Sequence, residues 1–169
     1  MKVYLATDHA GFELKEQVKK YLQGLGYEVE DCGAFSLDKE DDYPDFIAKA
    51  AEAVSNDQSS RAVIFGGSGQ GEAIVANKFP GVRAALFYGP RLPVGATDVS
   101  GNKSNDPYEM LKLTREHNNT NVLSIGVRFV TEEEALHAIK LWLESPYSGG
   151  ERHQRRIDKI SKIEEKEEE

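Results

Sequence analysis

Ala62-Val63-Ile64-Phe65-Gly66-Gly67-Ser68-Gly69-Gln70-Gly71-Glu72 runs from an apolar, β-branched segment into four glycines within six residues and then to a carboxylate. That order reads as a strand, a tight turn and the start of a helix, one unit of a parallel α/β protein. Working outward, Lys2–Thr7, Tyr27–Glu30, Arg83–Phe87 and Asn121–Ile125 are further short strands of apolar and β-branched character. Helical spacing fills the gaps. Phe12, Leu14, Val18, Tyr21, Leu22 and Leu25 recur at that spacing, as do Phe46, Ile47, Ala50, Ala51 and Val54, then Met110, Leu111 and Leu113, then Ala135, Leu136, Ile139 and Leu143. The alternation predicts a Rossmann-like three-layer α/β sandwich: a parallel sheet of about five strands, helices on both faces and an extra C-terminal helix. Strand order stays open, because both common doubly wound orders produce this alternation.

The chain of 169 residues fits one domain over 1–169, with 39% apolar and 30% charged residues. No apolar run approaches the roughly 20 residues that span a bilayer, and the first residues enter a strand without a basic-then-apolar leader, so the expected location is cytoplasmic. Cys32 is the only cysteine, which excludes an intrachain disulfide and a Cys-rich zinc site. A net charge of -8 disfavours nucleic acid, although the Glu164–Glu169 tail supplies much of it and is expected to fray into solvent. Residues 89–107 are too long and too rich in Gly, Pro and Asn for a routine connection and read as an inserted lid or ornamental loop. Ser145-Pro146-Tyr147-Ser148-Gly149-Gly150 detaches a final helix at about 151–165.

The glycine turn exposes backbone N–H groups at the positive end of a helix, a cradle for an anion. A triphosphate-binding loop needs Lys and Ser/Thr after its last glycine, but here Glu72 follows Gly71. A dinucleotide fingerprint needs a small residue at position 72 and again meets Glu72. N–H groups beside a carboxylate suit a different chemistry, in which a base removes a proton while the cradle holds the charge that develops. Glu72 would otherwise serve as a first-turn carboxylate complementing the helix dipole; a capping box opened by Ser68 would place the acid three residues on, and it comes four on.

Ligands of open parallel sheets sit beyond the carboxyl ends of the strands, where Asp8-His9 follows the first strand and Arg128 the fifth. Asp8 would serve equally as a helix N-cap. Arg152 and Arg156 share a face at the start of the last helix, where cations oppose the macrodipole unless an anion joins them or carboxylates pair with them at an interface. His117-Asn118 ends the helix before the fifth strand, at the opposite, amino edge of the sheet. A catalytic His117 would therefore come from a second subunit across a two-fold axis. His137 reads as a helix-face residue. No two histidines share ligand spacing and no carboxylate cluster accompanies them, so no metal is expected.

Asp8-His9-Ala10-Gly11, Asp42-Tyr43-Pro44, Gly66–Glu72, Ala76-Asn77-Lys78, Arg115-Glu116-His117-Asn118, Gly126-Val127-Arg128 and Arg152–Arg156 together resemble, in order and spacing, the type B ribose-5-phosphate isomerases. Galactose-6-phosphate and allose-6-phosphate isomerases are related members. The resemblance spans nearly the whole chain outside 89–107 and implies metal- and cofactor-free interconversion of aldose and ketose phosphates through a cis-enediolate, as in the pentose phosphate pathway. It implies Glu72 as base, Gly67, Ser68, Gly69 and Gly71 as the oxyanion cradle, and Ser68 orienting base and substrate. His117 with Asp8 would open the sugar ring, and Asn118 would bind hydroxyls. His9, Arg128, Arg152 and Arg156 would hold the phosphate, Tyr43 would line the sugar pocket, and a homodimer or tetramer would share its sites between subunits. One branch of the family uses a cysteine at the end of the third strand. Gly66 stands there in this chain, which resembles the glutamate branch.

Overall fold

The computed structural model describes residues 1–165; 166–169, the end of the acidic tail, lie outside the described residues. Strands β1 (Lys2–Thr7), β2 (Glu28–Asp31), β3 (Arg61–Gly66), β4 (Ala84–Phe87) and β5 (Val122–Gly126) form one parallel sheet in the order β2-β1-β3-β5-β4. The last two strands are exchanged relative to the flavodoxin-like order. Burial explains the exchange. Val122–Gly126 is buried along its whole length and takes the interior position, whereas most of Ala84–Phe87 is only half-buried and forms an edge. At the other edge β2, Glu-Val-Glu-Asp, lines up carboxylates that discourage a further strand.

Helices α1 (Phe12–Gly24), α4 (Glu109–Asn118) and α5 (Glu132–Glu144) lie on one face, and α2 (Pro44–Asn56) and α3 (Gln70–Ala76) on the other. Strand alternation feeds both layers: Val3, Leu5, Val63 and Phe65 pack under α1 and α5 with Trp142, while Tyr4, Ala6, Ala62 and Ile64 pack under α2 with Ile47 and Val54. A final helix, α6 (Glu151–Glu164), packs along α4. No helix among the described residues is long and apolar enough to cross a membrane.

Two buried cations brace this frame. Lys15 on α1 has no exposed surface and donates to both oxygens of Asp31, at 2.7 and 2.6 Å, tying α1 to β2. Arg115 on α4 donates to the Thr120 and Ser145 carbonyls and to Asn119 Oδ1 at 2.9 Å, and burial pulls its guanidinium down to about 10. These contacts fix the turn between His117 and β5. Cys32 is buried at the end of β2, where burial pushes its thiol up to about 11 and leaves it a poor nucleophile.

Candidate active site

Asp8 leaves β1 at the carboxyl edge of the sheet, 7% exposed, and its Oδ1 accepts the Ala10 N–H at 2.9 Å to cap a short 3-10 turn. The N-cap role read from the sequence and a position in the site therefore coexist. His9 follows, and Asp41 takes both its backbone N–H, at 3.0 Å, and its Nδ1, at 2.7 Å. The Asp41 hydrogen bond outweighs partial burial and raises the His9 pKa. The other Asp41 oxygen is buried with no partner among the described residues. Asp41 immediately precedes the Asp42-Tyr43-Pro44 motif, and nothing in its spacing singles it out.

The glycine turn follows β3. Gly69, at φ +71, is the actual N-cap of α3, so Glu72 stands three residues after the cap and the offset argued from Ser68 does not apply. A glycine offers no side chain for a reciprocal box, and the Glu72 carboxylate instead folds back over Gly66. A Cβ on Gly66 would fall inside that carboxylate. Absence of a side chain at the end of β3 is thus what gives Glu72 its place, and a cysteine at 66 and a glutamate so placed exclude one another. Glu72 is 5% exposed; burial raises its pKa and the nearby Asp8 charge adds to this, while its own backbone N–H opposes.

The rest of the turn is enclosed by large side chains. Arg128, just past β5, lays its guanidinium over Gly67, with Cζ 2.9 Å from where a Cβ would be. Tyr43 presses on Gly71 in the same way, its hydroxyl at 2.7 Å. Ser124 Oγ on β5 donates to the Gly69 carbonyl at 2.7 Å and holds the turn from below, a support without a signal in the sequence. The N–H groups of Gly67, Ser68 and Gly69 donate to no acceptor among the described residues, which leaves an unsatisfied cradle in the turn that leads to Glu72. Asp8, His9, Tyr43, Gly67, Ser68, Gly69, Gly71, Glu72 and Arg128 thus gather at one edge.

His117 and Asn118 do not join them. They end α4 before β5 begins, one strand length away, about 15 Å for a strand of this size. There His117 stacks on His153 of α6, ring centroids 4.1 Å apart and 9° from parallel. Burial lowers the His153 pKa, and the neighbouring His117, Arg156 and Arg152 lower it further. His117, Arg152, His153 and Arg156 line a cavity of about 280 Å³, and neither arginine has a carboxylate ion-pair partner among the described residues. The sequence gives His153 no signal of its own beyond its place inside Arg152–Arg156, on the same helix start. A wider depression on α5, about 800 Å³, gathers Glu132, Glu133 and Glu134 and suits no anionic substrate.

The sequence shows no carboxylate cluster around a histidine, yet the fold makes one: ligand-type atoms of Asp8, His9 and Asp41 lie within 4.8 Å of one another. Asp8 Oδ1 caps the 3-10 turn and Asp41 Oδ1 takes the His9 Nδ1, so both atoms already serve hydrogen bonds.

A buried carboxylate beside a free N–H cradle, at the carboxyl edge of a parallel sheet and with an arginine over the loop, is equipped to move a proton next to a carbonyl. The chain belongs to the Ribose/Galactose Isomerase family, whose sequence profile matches residues 3–93 and 104–160. It is 43% identical over 164 residues to a ribose-5-phosphate isomerase B of Mycolicibacterium paratuberculosis, covering 97% of this chain and 92% of that one. The Clostridium thermocellum ribose-5-phosphate isomerase B superposes with a TM-score of 0.83 at 37% identity over 98% of this chain and 99% of the other. The Mycoplasma genitalium ribose-5-phosphate isomerase B with bound ribulose 5-phosphate also gives 0.83, at 33% identity over 97% and 96%.

Proposed function

We propose that this protein interconverts ribose 5-phosphate and ribulose 5-phosphate in a homodimer whose two active sites each combine the carboxyl edge of one subunit with the amino-edge cavity of the other. The observation that carries the chemistry is Glu72, a carboxylate of raised pKa folded over Gly66 beside unsatisfied N–H groups. His117 from the partner, assisted by Asp8, moves the proton that opens the furanose ring, and Asn118 holds a sugar hydroxyl. Glu72 then takes the C2 proton of the open aldose. The C2–H electrons form the C1–C2 double bond and the carbonyl oxygen becomes an oxyanion held by the N–H groups of Gly67 to Gly71, with Ser68 orienting the substrate. One proton goes to O1 and one leaves O2; the carbonyl re-forms at C2, and Glu72 returns its proton to C1. Balance is complete without an added reactant.

The phosphate lies with Arg152 and Arg156, joined by His9 and Arg128, and Tyr43 closes the sugar side. Distance supports the dimer: the two groups assigned to one reaction stand at opposite ends of a strand within each chain. The test is Glu72→Gln. Exchange of the C2 proton in deuterated buffer, followed by NMR, and turnover of ribose 5-phosphate should both fall by about 10²- to 10⁴-fold, the range for removing a general base. Affinity for the sugar phosphate should change little. Near-normal exchange in the variant would remove Glu72 as the base; no exchange in the unaltered protein would leave a phosphosugar-binding module instead of an isomerase.

A further inference from the structure

We propose that residues 94–103 form a fixed wall of the active site that selects against sugar phosphates longer than five carbons, an inference resting on the isomerase reading above. This segment falls between the two stretches that match the family profile and is itself unmatched by it. Its position gives it a function. Ala96, Thr97, Asp98 and Val99 line the same cavity of about 280 Å³ as His117, Arg152, His153 and Arg156, which brings the insertion from the end of β4 onto the phosphate half of the site.

The wall is internally fastened. Asp98 Oδ1 accepts the backbone N–H groups of Ser100, at 2.8 Å, and Asn102, at 3.0 Å, while Oδ2 accepts the Asn102 side-chain amide at 2.6 Å. The Thr97 N–H and hydroxyl both donate to the Asn102 carbonyl, at 2.8 and 3.3 Å. The feet of the loop are joined by the Arg91 N–H to the Pro107 carbonyl at 2.7 Å, and Ser104 Oγ donates to Glu109 Oε2, at 3.0 Å, on α4. Such a loop has little freedom left to move aside.

These bonds also decide how the wall acts. Thr97 and Asp98 spend their polar groups inside the loop, so the surface toward the cavity contributes shape and one fixed negative charge rather than hydrogen bonds to a sugar. With C1 and C2 set at Glu72, a six-carbon substrate carries its phosphate one C–C bond farther, about 1.5 Å. Asp98 lines the same cavity as Arg152 and Arg156, so a dianion displaced from the arginines onto this side meets added bulk and a like charge. A methylene in a fitted apolar pocket is worth about 10- to 200-fold in discrimination, and the extra CHOH unit of a hexose in this polar cavity is expected at the lower end of that range.

The experiment compares the unaltered protein with two variants, one with 94–103 replaced by Gly-Gly and one with Asp98→Ala. Turnover of ribose 5-phosphate and allose 6-phosphate is measured, together with calorimetric Kd values for 5-phosphoribonate and 6-phosphogluconate, which do not turn over. The ratio of six- to five-carbon kcat/KM, and the matching ratio of affinities, should rise about tenfold in the deletion and in the same direction in Asp98→Ala. Ratios within about twofold of the unaltered protein in a folded variant would overturn the wall. If the deletion misfolds by circular dichroism, Asp98→Ala decides. Absence of turnover with the shift in affinities intact would sink the isomerase reading and leave the wall standing.

Discussion

Two inactive proteins should make one active enzyme when their subunits mix. Glu72→Gln removes the proposed base at the carboxyl edge, and His117→Ala removes the proposed ring-opening group at the amino edge, so each homodimer has two damaged sites. In a heterodimer the damage is distributed unevenly. One site combines the Glu72→Gln lesion of the first chain with the His117→Ala lesion of the second, while the other joins an intact Glu72 to an intact His117. Random mixing at equal concentrations makes half of the dimers mixed, each with one good site of two, so roughly a quarter of the original activity should return. The magnitude follows from the topology alone: Glu72 stands at the start of the helix after β3 and His117 at the end of the helix before β5, so a strand separates them within a chain. The assay co-expresses the variants with different tags, isolates the doubly tagged species and compares its kcat per dimer with either parent. Doubly tagged dimers, verified by native mass spectrometry, that stay at parental background would refute the shared site.

Three further outcomes are expected. Gly66→Ala puts a methyl where the Glu72 carboxylate lies and should lower kcat by about 10²- to 10⁴-fold with the circular dichroism spectrum retained; kcat near the original would show that the carboxylate works from elsewhere. Lys15→Ala leaves Asp31 half of its support, since Lys19 remains 2.8 Å away, and should cost about 3 kcal/mol in urea unfolding at neutral pH. Burial alone would raise the Asp31 pKa, but Lys15 and Lys19 hold it below the ordinary carboxylate range, so this stabilisation is present above the unfolded carboxylate's pKa and lost as pH falls through the folded one. The gap between variant and original should close in acid. Asp41→Asn removes the charge that raises His9 and leaves only a weaker, neutral acceptor for its Nδ1, so the imidazole, followed by NMR, should titrate at lower pH and the KM for sugar phosphate should begin its rise at lower pH; an unmoved titration would break the link.

The alternation of strand and helix is legible because burial imposes two different periods on the sequence, and it locates Glu72, the glycine turn, Asp8 and Arg128 at one edge by chain order alone. The same logic puts His117 at the other edge. Strand order is not legible, since hydrophobic pattern reports that a strand is buried but not which strand lies beside it; only the pairing of β5 with both β3 and β4 resolves this. Asp41 is invisible for a related reason: its partner His9 is 32 positions away, and no local spacing encodes that contact. The cap of α3 escapes a reading based on Ser68 because Gly69 caps through a left-handed backbone and has no side chain to advertise it.

By itself, then, the sequence determined the class of fold and the edge on which each candidate group stands, and with that the reason to expect a second subunit, since these depend on local periodicity and on the order of elements along the chain. Tertiary structure decided what those groups touch. It set the Glu72 carboxylate into the space left empty by Gly66, paired Asp41 with His9, and brought 96–99 to the cavity of Arg152 and Arg156. Most of these are contacts between segments remote in the chain, and such contacts exist only once the layers have closed on one another.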